Sequence, residues 1–253
     1  MLNEWTAFLN ALMFYSRIPV PRNTPFSNEI LNRATRYFPL VGAVIGGLGA
    51  LSFWATHLIL PTNIAIVISM AFTIFITGAF HEDGFADFCD GFGGGHTREK
   101  ILEIMKDSRI GTYGATGLLL MLFTKFLCLG NIRESNLPAV IIAAHTFSRF
   151  APVVLIYTSQ YVRADLTSKV KPIGHRDSPL AFLVALCTGG LSLLLLDVKT
   201  VFLIISLTTL TFLLFRKYVN KRLGGYTGDV LGALQQISEL VIYVAIVVSQ
   251  NNW

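Results

Sequence analysis

Charge is what this chain has least of. Asp, Glu, Lys and Arg make up 14% of its residues, against roughly 25% in an ordinary soluble domain, and the shortfall is gathered into long uncharged runs. That excludes a water-soluble globular fold and leaves a polytopic membrane protein with no sizeable soluble domain. Cysteine is also scarce. Cys89, Cys128 and Cys187 lie far apart, with no Cys-x-x-Cys pair, which argues against a disulfide framework and a structural zinc site. No small-residue cleavage site follows an apolar core at the N-terminus, and Glu4 comes early, so no cleavable signal is expected. Residues 1–253 are expected to form one integral-membrane domain, and no nucleic-acid partner is expected.

The apolar runs set the architecture. Trp5, Phe8, Leu9, Leu12 and Tyr15 recur at helical spacing over a stretch too short to cross a bilayer, which predicts an amphipathic helix lying at the interface. Pro19 and Pro21 end it. Seven candidate spans follow, at 40–60, 62–80, 112–130, 137–157, 179–196, 200–215 and 230–248, the sixth being the shortest. Gly42, Gly46, Gly47 and Gly49 in the first span offer small faces for close helix packing. The connections 1–37, 81–111, 158–178 and 216–229 each hold four Lys or Arg, 16 of the chain's 20. By the positive-inside rule these face the cytoplasm, placing the N-terminus inside and the C-terminus outside. The predicted fold is an all-α bundle of about seven transmembrane helices plus the interfacial helix.

Acidic residues are few, 15 in all, yet four of them fall between Glu82 and Asp90, directly after an uncharged span. On a helix Asp83, Asp87 and Asp90 lie within about 60° of one another. Stacked carboxylates repel unless cations neutralise them, and oxygen ligands of this kind suit Mg²⁺ or Mn²⁺ better than zinc. Gly91, Gly93, Gly94 and Gly95 are expected to break the helix there, freeing backbone N–H groups to approach phosphate. His81 could bind phosphate or metal, or hydrogen-bond at the interface.

Farther along the same connection, Asp107 can return to the metal site while Lys106 and Arg109 meet phosphate oxygens. A third polar cluster, Gly224 to Asp229, supplies a flexible turn, the Thr227 hydroxyl and the Asp229 carboxylate at a helix start, where Asp also caps. Within spans, Lys125, His145, Arg149 and Glu239 are costly in lipid and should face the bundle interior and pair. Arg149 could there reach a phosphate or a buried carboxylate.

Three separated motifs carry a resemblance: His81-Glu82-Asp83-Gly84-x-x-Asp87-x-x-Asp90-Gly91, Met105-Lys106-Asp107-Ser108-Arg109-x-Gly111-x-x-Gly114, and Gly224-Gly225-x-Thr227-Gly228-Asp229. In this order on a seven-span chain they resemble the adenosylcobinamide-GDP ribazoletransferase (cobalamin synthase) family. The resemblance implies Mg²⁺-dependent transfer of the adenosylcobinamide-phosphate group from adenosylcobinamide-GDP to α-ribazole or its 5′-phosphate, with release of GMP, at the cytoplasmic face of a bacterial inner membrane. It implies Asp83, Asp87, Asp90 and Asp107 as metal ligands, Lys106 and Arg109 as donors to the developing charge, and Glu82 or Asp90 as the base. His81, Gly93, Gly94, Arg149, Thr227 and Asp229 would contact substrate. The expected partners are those small molecules and the lipid bilayer, and the chain can also associate with itself. The alternative enzyme is a CDP-alcohol phosphotransferase, whose signature Asp87-x-x-Asp90-Gly91 begins to match before the sequence departs from it at Gly94-Gly95.

Overall fold

Helices account for all the regular structure in a computed structural model of the chain, which describes residues 4–162 and 177–250. The basic residues expected between 163 and 176 lie outside the described residues. In chain order the helices are α1 (Glu4–Tyr15), α2 (Asn28–Ala34), α3 (Phe38–His57), α4 (Thr62–Thr77), α5 (Phe80–Gly94), α6 (Arg98–Ile104) and α7 (Thr112–Gly130). They continue with α8 (Leu137–Phe147), α9 (Phe150–Thr158), α10 (Pro179–Leu191), α11 (Val198–Leu223) and α12 (Gly228–Gln250).

Among the described residues five segments are long and apolar enough to cross a membrane: Asn28–His57, Thr112–Gly130, Glu134–Thr158, Val198–Leu223 and Gly228–Gln250. A sixth results if α4 and α5 count as one broken span, and Pro179–Leu195 is a shorter apolar helix. Two expected spans change shape. The second stops at Thr77, because Gly78 and Ala79 both adopt left-handed backbone, at φ 67° and 57°, and turn the chain by 87° into α5. The sixth, expected to be the shortest, belongs to the longest helix, α11, of 26 residues. Its apolar run ends where Arg216 begins, but the helix continues to Lys221 and Arg222, whose positive charge suits a helix C-terminus.

α12 is the central strut: 67% of its apolar window lies inside the protein, against 22% for α11, which lies at the rim. α12 packs against α5, α7, α8, α9 and α11. On the other side α3 packs tightly on α8, and a β-carbon at Gly46 would sit 2.9 Å from Ile142 Cα. Gly42 and Gly49 are equally confined, whereas Gly47 has no neighbour within 4 Å, so only three of the four expected glycines serve close packing. α1 buries Leu9, Leu12 and Tyr15 against the body and exposes Trp5.

The basic connections converge on one end of the bundle. Arg36 pairs with Asp177 at 2.5 Å, joining the first connection to the third. Backbone bonds from Val162 N–H to the Tyr226 carbonyl (3.0 Å) and from Tyr226 N–H to the Gln160 carbonyl (2.8 Å) join the third to the fourth. Arg222 Nη2 donates to the Gly95 carbonyl at 2.6 Å, joining the fourth to the second. Elsewhere, Thr62 and His57 meet Glu134, Arg133 N–H donates to Gln250, and Thr200 bonds Ser249, which ties the connections poor in Lys and Arg to the end of α12.

Candidate active site

The backbone first decides where the acidic cluster goes. After the turn at Gly78-Ala79, Asp83 N–H bonds the Ala79 carbonyl at 2.8 Å and α5 starts on a new axis. Its path is fixed by close approach to the first turn of α12: a β-carbon at Gly84 would lie 3.1 Å from both Asp229 Cα and Asp229 O. Larger side chains at position 84 would push the two helices apart, so glycine sets the distance between their carboxylates.

Asp83, Asp87, Lys106, Asp107, Ser108 and Asp229 line one open cleft, with Met105 at its edge. Three of the sequence motifs thus contribute walls to one space. Asp83 is exposed, while Asp87 and Asp229 are half-buried. Thr227 is the residue that caps α12: its hydroxyl accepts from Val230 N–H at 3.3 Å and lies 3.4 Å from Asp229 Oδ2. Asp229 lines the cleft. Arg109 does not line it. Its guanidinium grips Asp107 at 2.8 and 3.1 Å, and its N–H adds a third contact at 3.1 Å. This holds the Asp107 carboxyl well below its ordinary value, down to about 2.

Asp90 shares the helix face with Asp83 and Asp87, as expected, but does not line the cleft. It is buried, and its two carboxylate oxygens accept from Gly111 N–H (2.7 Å) and Gly114 N–H (2.8 Å). It therefore caps the start of α7 from the neighbouring helix and satisfies amides that have no partner within α7. Gly93 and Gly94 also stand outside the cleft. The helix does not break at Gly91 but runs through Gly94, so its amides remain in the helical ladder, and Gly93 packs on the Tyr113 ring.

A second polar centre lies inside the bundle. Lys125 Nζ donates to Glu239 (2.8 Å) and Gln236 (2.5 Å), and Gln236 donates to Glu82 (2.9 Å). Gln235 donates to the other Glu239 oxygen at 2.8 Å and to the Ser148 hydroxyl at 3.0 Å. Arg149 is buried and donates to the His145 carbonyl at 2.5 Å. The intramembrane charges are interior, as expected, with Lys125 and Glu239 paired. Glu82 belongs to this centre and not to the cleft. Glu82 Oε2, His81 Nε2 and Arg149 Nε are buried there without a hydrogen-bond partner. Sequence reasoning missed Gln235 and Gln236; the available signal was two adjacent amides in an otherwise apolar helix, one turn before Glu239.

Among the described residues no three His, Cys, Asp or Glu side chains form a ready-made metal cluster. The cleft's donor set nevertheless fits magnesium. That ion keeps several waters and is commonly held by one or two carboxylates plus substrate phosphates, so a closed protein cage is not required.

Residues 7–247 match the family described as Cobalamin-5-phosphate synthase. A protein named adenosylcobinamide-GDP ribazoletransferase in Vibrio parahaemolyticus is 47% identical over 249 residues, covering 97% of this chain and 93% of its own. Proteins of the same name in Shewanella frigidimarina and Shewanella amazonensis are 46% and 45% identical, covering 97% and 96% of this chain and 95% of each of theirs. No solved structure matches. With a family match that leaves out only the chain's two ends, this chain belongs to the cobalamin-5-phosphate synthase family.

Proposed function

We propose that the chain transfers the adenosylcobinamide-phosphate group of adenosylcobinamide-GDP to a ribose hydroxyl of α-ribazole or of its 5′-phosphate. A P–O bond forms between that hydroxyl oxygen and the phosphorus on the cobinamide side. The bond from that phosphorus to the bridging oxygen breaks, and GMP leaves with that oxygen. The products are adenosylcobalamin or its 5′-phosphate. The observation that carries this reading is the convergence of Asp83, Asp87, Asp107, Asp229 and Lys106 from three chain segments on one open cleft, in a chain whose relatives bear the ribazoletransferase name. A CDP-alcohol phosphotransferase is not favoured by those relatives.

Asp83, Asp87 and Asp107 would hold magnesium, which when bound supplies positive charge opposite the pyrophosphate. Lys106 adds a donor to the same oxygens. Arg109 acts through Asp107, keeping it ionised and oriented. The hydroxyl proton passes to a cleft carboxylate, and Asp229 is our assignment, since it stands across from Asp83 and Asp87 on a separate helix. Glu82 and Asp90 are poorly placed for that task, because one faces the buried centre and the other is engaged by α7.

We also place the N-terminus and the four basic connections in the cytoplasm of a bacterial cell, with the cleft on that side of the inner membrane. In this arrangement α3, α4, α7, α8 with α9, α10, α11 and α12 cross, α5 lies across the cytoplasmic end, and the C-terminus is outside. The meeting of the basic connections at one end supports it. The deciding experiment is incubation of purified protein in lipid with adenosylcobinamide-GDP, α-ribazole and Mg²⁺, following GMP. Activity with CDP-diacylglycerol and none with this pair would reverse the assignment.

A further inference from the structure

Three helices carry the walls of the acidic cleft. α5 bears Asp83 and Asp87, α12 opens on Asp229, and α7 begins shortly after Lys106, Asp107 and Ser108. At the cleft itself α5 and α12 meet through Gly84 and the Asp229 backbone. A close contact of that kind stops two helices from approaching further, but it does not stop them from sliding or parting. A buried hydrogen bond does, because it constrains both distance and angle and is strengthened by a low local dielectric. Such a bond lies behind the cleft. Gln236 is on the same face of α12 as Asp229, two turns or about 10 Å along, and its side-chain amide donates to Glu82 at 2.9 Å. Glu82 is the immediate neighbour of Asp83 on α5. The same Gln236 accepts from Lys125 of α7 at 2.5 Å. One side chain, 2% exposed, therefore joins all three helices.

We infer that Gln236 is a positioning residue for the acidic cleft, holding α5 and α7 to α12 so that Asp83 and Asp87 keep their separation from Asp229. The inference rests on the function proposed above, in which those carboxylates bind magnesium and take the hydroxyl proton. The chemistry calls for an amide at this point. An ammonium needs an acceptor and a carboxylate needs a donor, and a glutamine supplies both at once. The link to α5 has no substitute among the described residues: Glu82 Oε1 is bonded by Gln236, and Glu82 Oε2 has no hydrogen-bond partner. The link between α7 and α12 is doubled, because Lys125 also bonds Glu239 at 2.8 Å. Loss of Gln236 should therefore release α5, the helix that carries two of the cleft's carboxylates, and a displacement of about 1 Å there can cost roughly a hundredfold in rate.

Gln236→Leu removes both bonds and is the direct test, made on protein purified in lipid. Its kcat for GMP release should fall about tenfold or more, and its Mg²⁺ dissociation constant, measured by calorimetry, should rise. Ile242→Ala opens a cavity in the apolar part of the same helix; it should lower the Tm and leave Mg²⁺ affinity in place. Glu82→Gln combined with Gln236→Glu exchanges donor and acceptor, keeps the net charge and still offers Lys125 an acceptor, so it should restore Mg²⁺ affinity. Gln236→Asn keeps the amide but is one methylene too short to span both partners, and it decides the matter if Gln236→Leu fails to fold. A lowered Tm with unchanged Mg²⁺ affinity and kcat in the Gln236 variants would overturn the assignment. So would an equal loss of Mg²⁺ affinity in Ile242→Ala, or an exchange variant whose affinity stays low. Wild-type protein that binds Mg²⁺ through Gln236 in this way but releases no GMP would sink the reaction and leave the positioning role standing. GMP release that is indifferent to Gln236 would do the reverse.

Discussion

Asp83, Asp87 and Asp90 share a helix but answer to different demands. The first two line a solvent-filled cleft, where carboxylates are held by what binds them; the third is held by two backbone amides of α7. Asp87→Asn or Asp83→Asn should abolish GMP release while the protein inserts and melts normally, and wild-type turnover in either would remove the metal assignment. Asp90→Ala should behave in the opposite manner. It strands two amides at a helix start, costing about 1–2 kcal/mol, so the Tm should fall while Mg²⁺ affinity measured by calorimetry holds. An unchanged Tm would mean that the cap is dispensable.

Asp107 makes a prediction about pH. Arg109 depresses its carboxyl from an ordinary 3.8 to about 2, so whatever the pair contributes to the fold is complete above about pH 4 and disappears as pH falls through 2. Asp107 should thus remain ionised over the whole working range. Carboxyl NMR should show its titration moving up toward 3.8 in Arg109→Ala, and an unmoved midpoint would show that the ion pair does not form in solution.

At the scale of elements, the contact between α5 and α12 sets the cleft. Gly84→Val puts a side chain against the Asp229 backbone, where a β-carbon is already at 3.1 Å, and the helices must separate. Displacing reacting groups by about 1 Å can cost roughly a hundredfold in rate, so kcat should fall at least tenfold with insertion intact; unchanged kcat would show that the cleft tolerates widening. This level is also where sequence and structure part. The spacing of Asp83 and Asp87 was readable, because helical periodicity is local. The fate of Asp90 was not, because it depends on where α7 starts, a tertiary fact with no local signature. The turn at Ala79 was equally hidden: left-handed backbone at alanine is disfavoured, and only the surrounding packing imposes it. Similarly, α11 outlasts its apolar run because lysine and arginine are good helix formers, so hydropathy finds where a span ends but not where its helix does.

For the molecule as a whole, the distribution of Lys and Arg was the most informative feature of the sequence, and in the fold the basic connections meet at one end. That arrangement predicts the outcome of labelling in intact cells. A cysteine placed at Lys217 should resist a membrane-impermeant maleimide until the cells are opened, whereas one placed at Arg133 should react from outside. The reverse pattern would invert the topology. What the chain could not disclose was the junction at Gln236, since its partners are as distant as Glu82 and Lys125 and no periodicity links them.

The position of Asp229 has a consequence for biosynthesis. A ribosome completes α5 and the Lys106-Asp107 segment long before it makes residue 229, and α12 is the helix against which five others pack. A nascent or truncated chain therefore has an acidic patch facing no opposite wall, and it has no centre to its bundle. If Asp229 serves as proposed, competence to cleave a pyrophosphate arrives only once α12 is in place, so chains that lack it cannot consume the activated corrinoid.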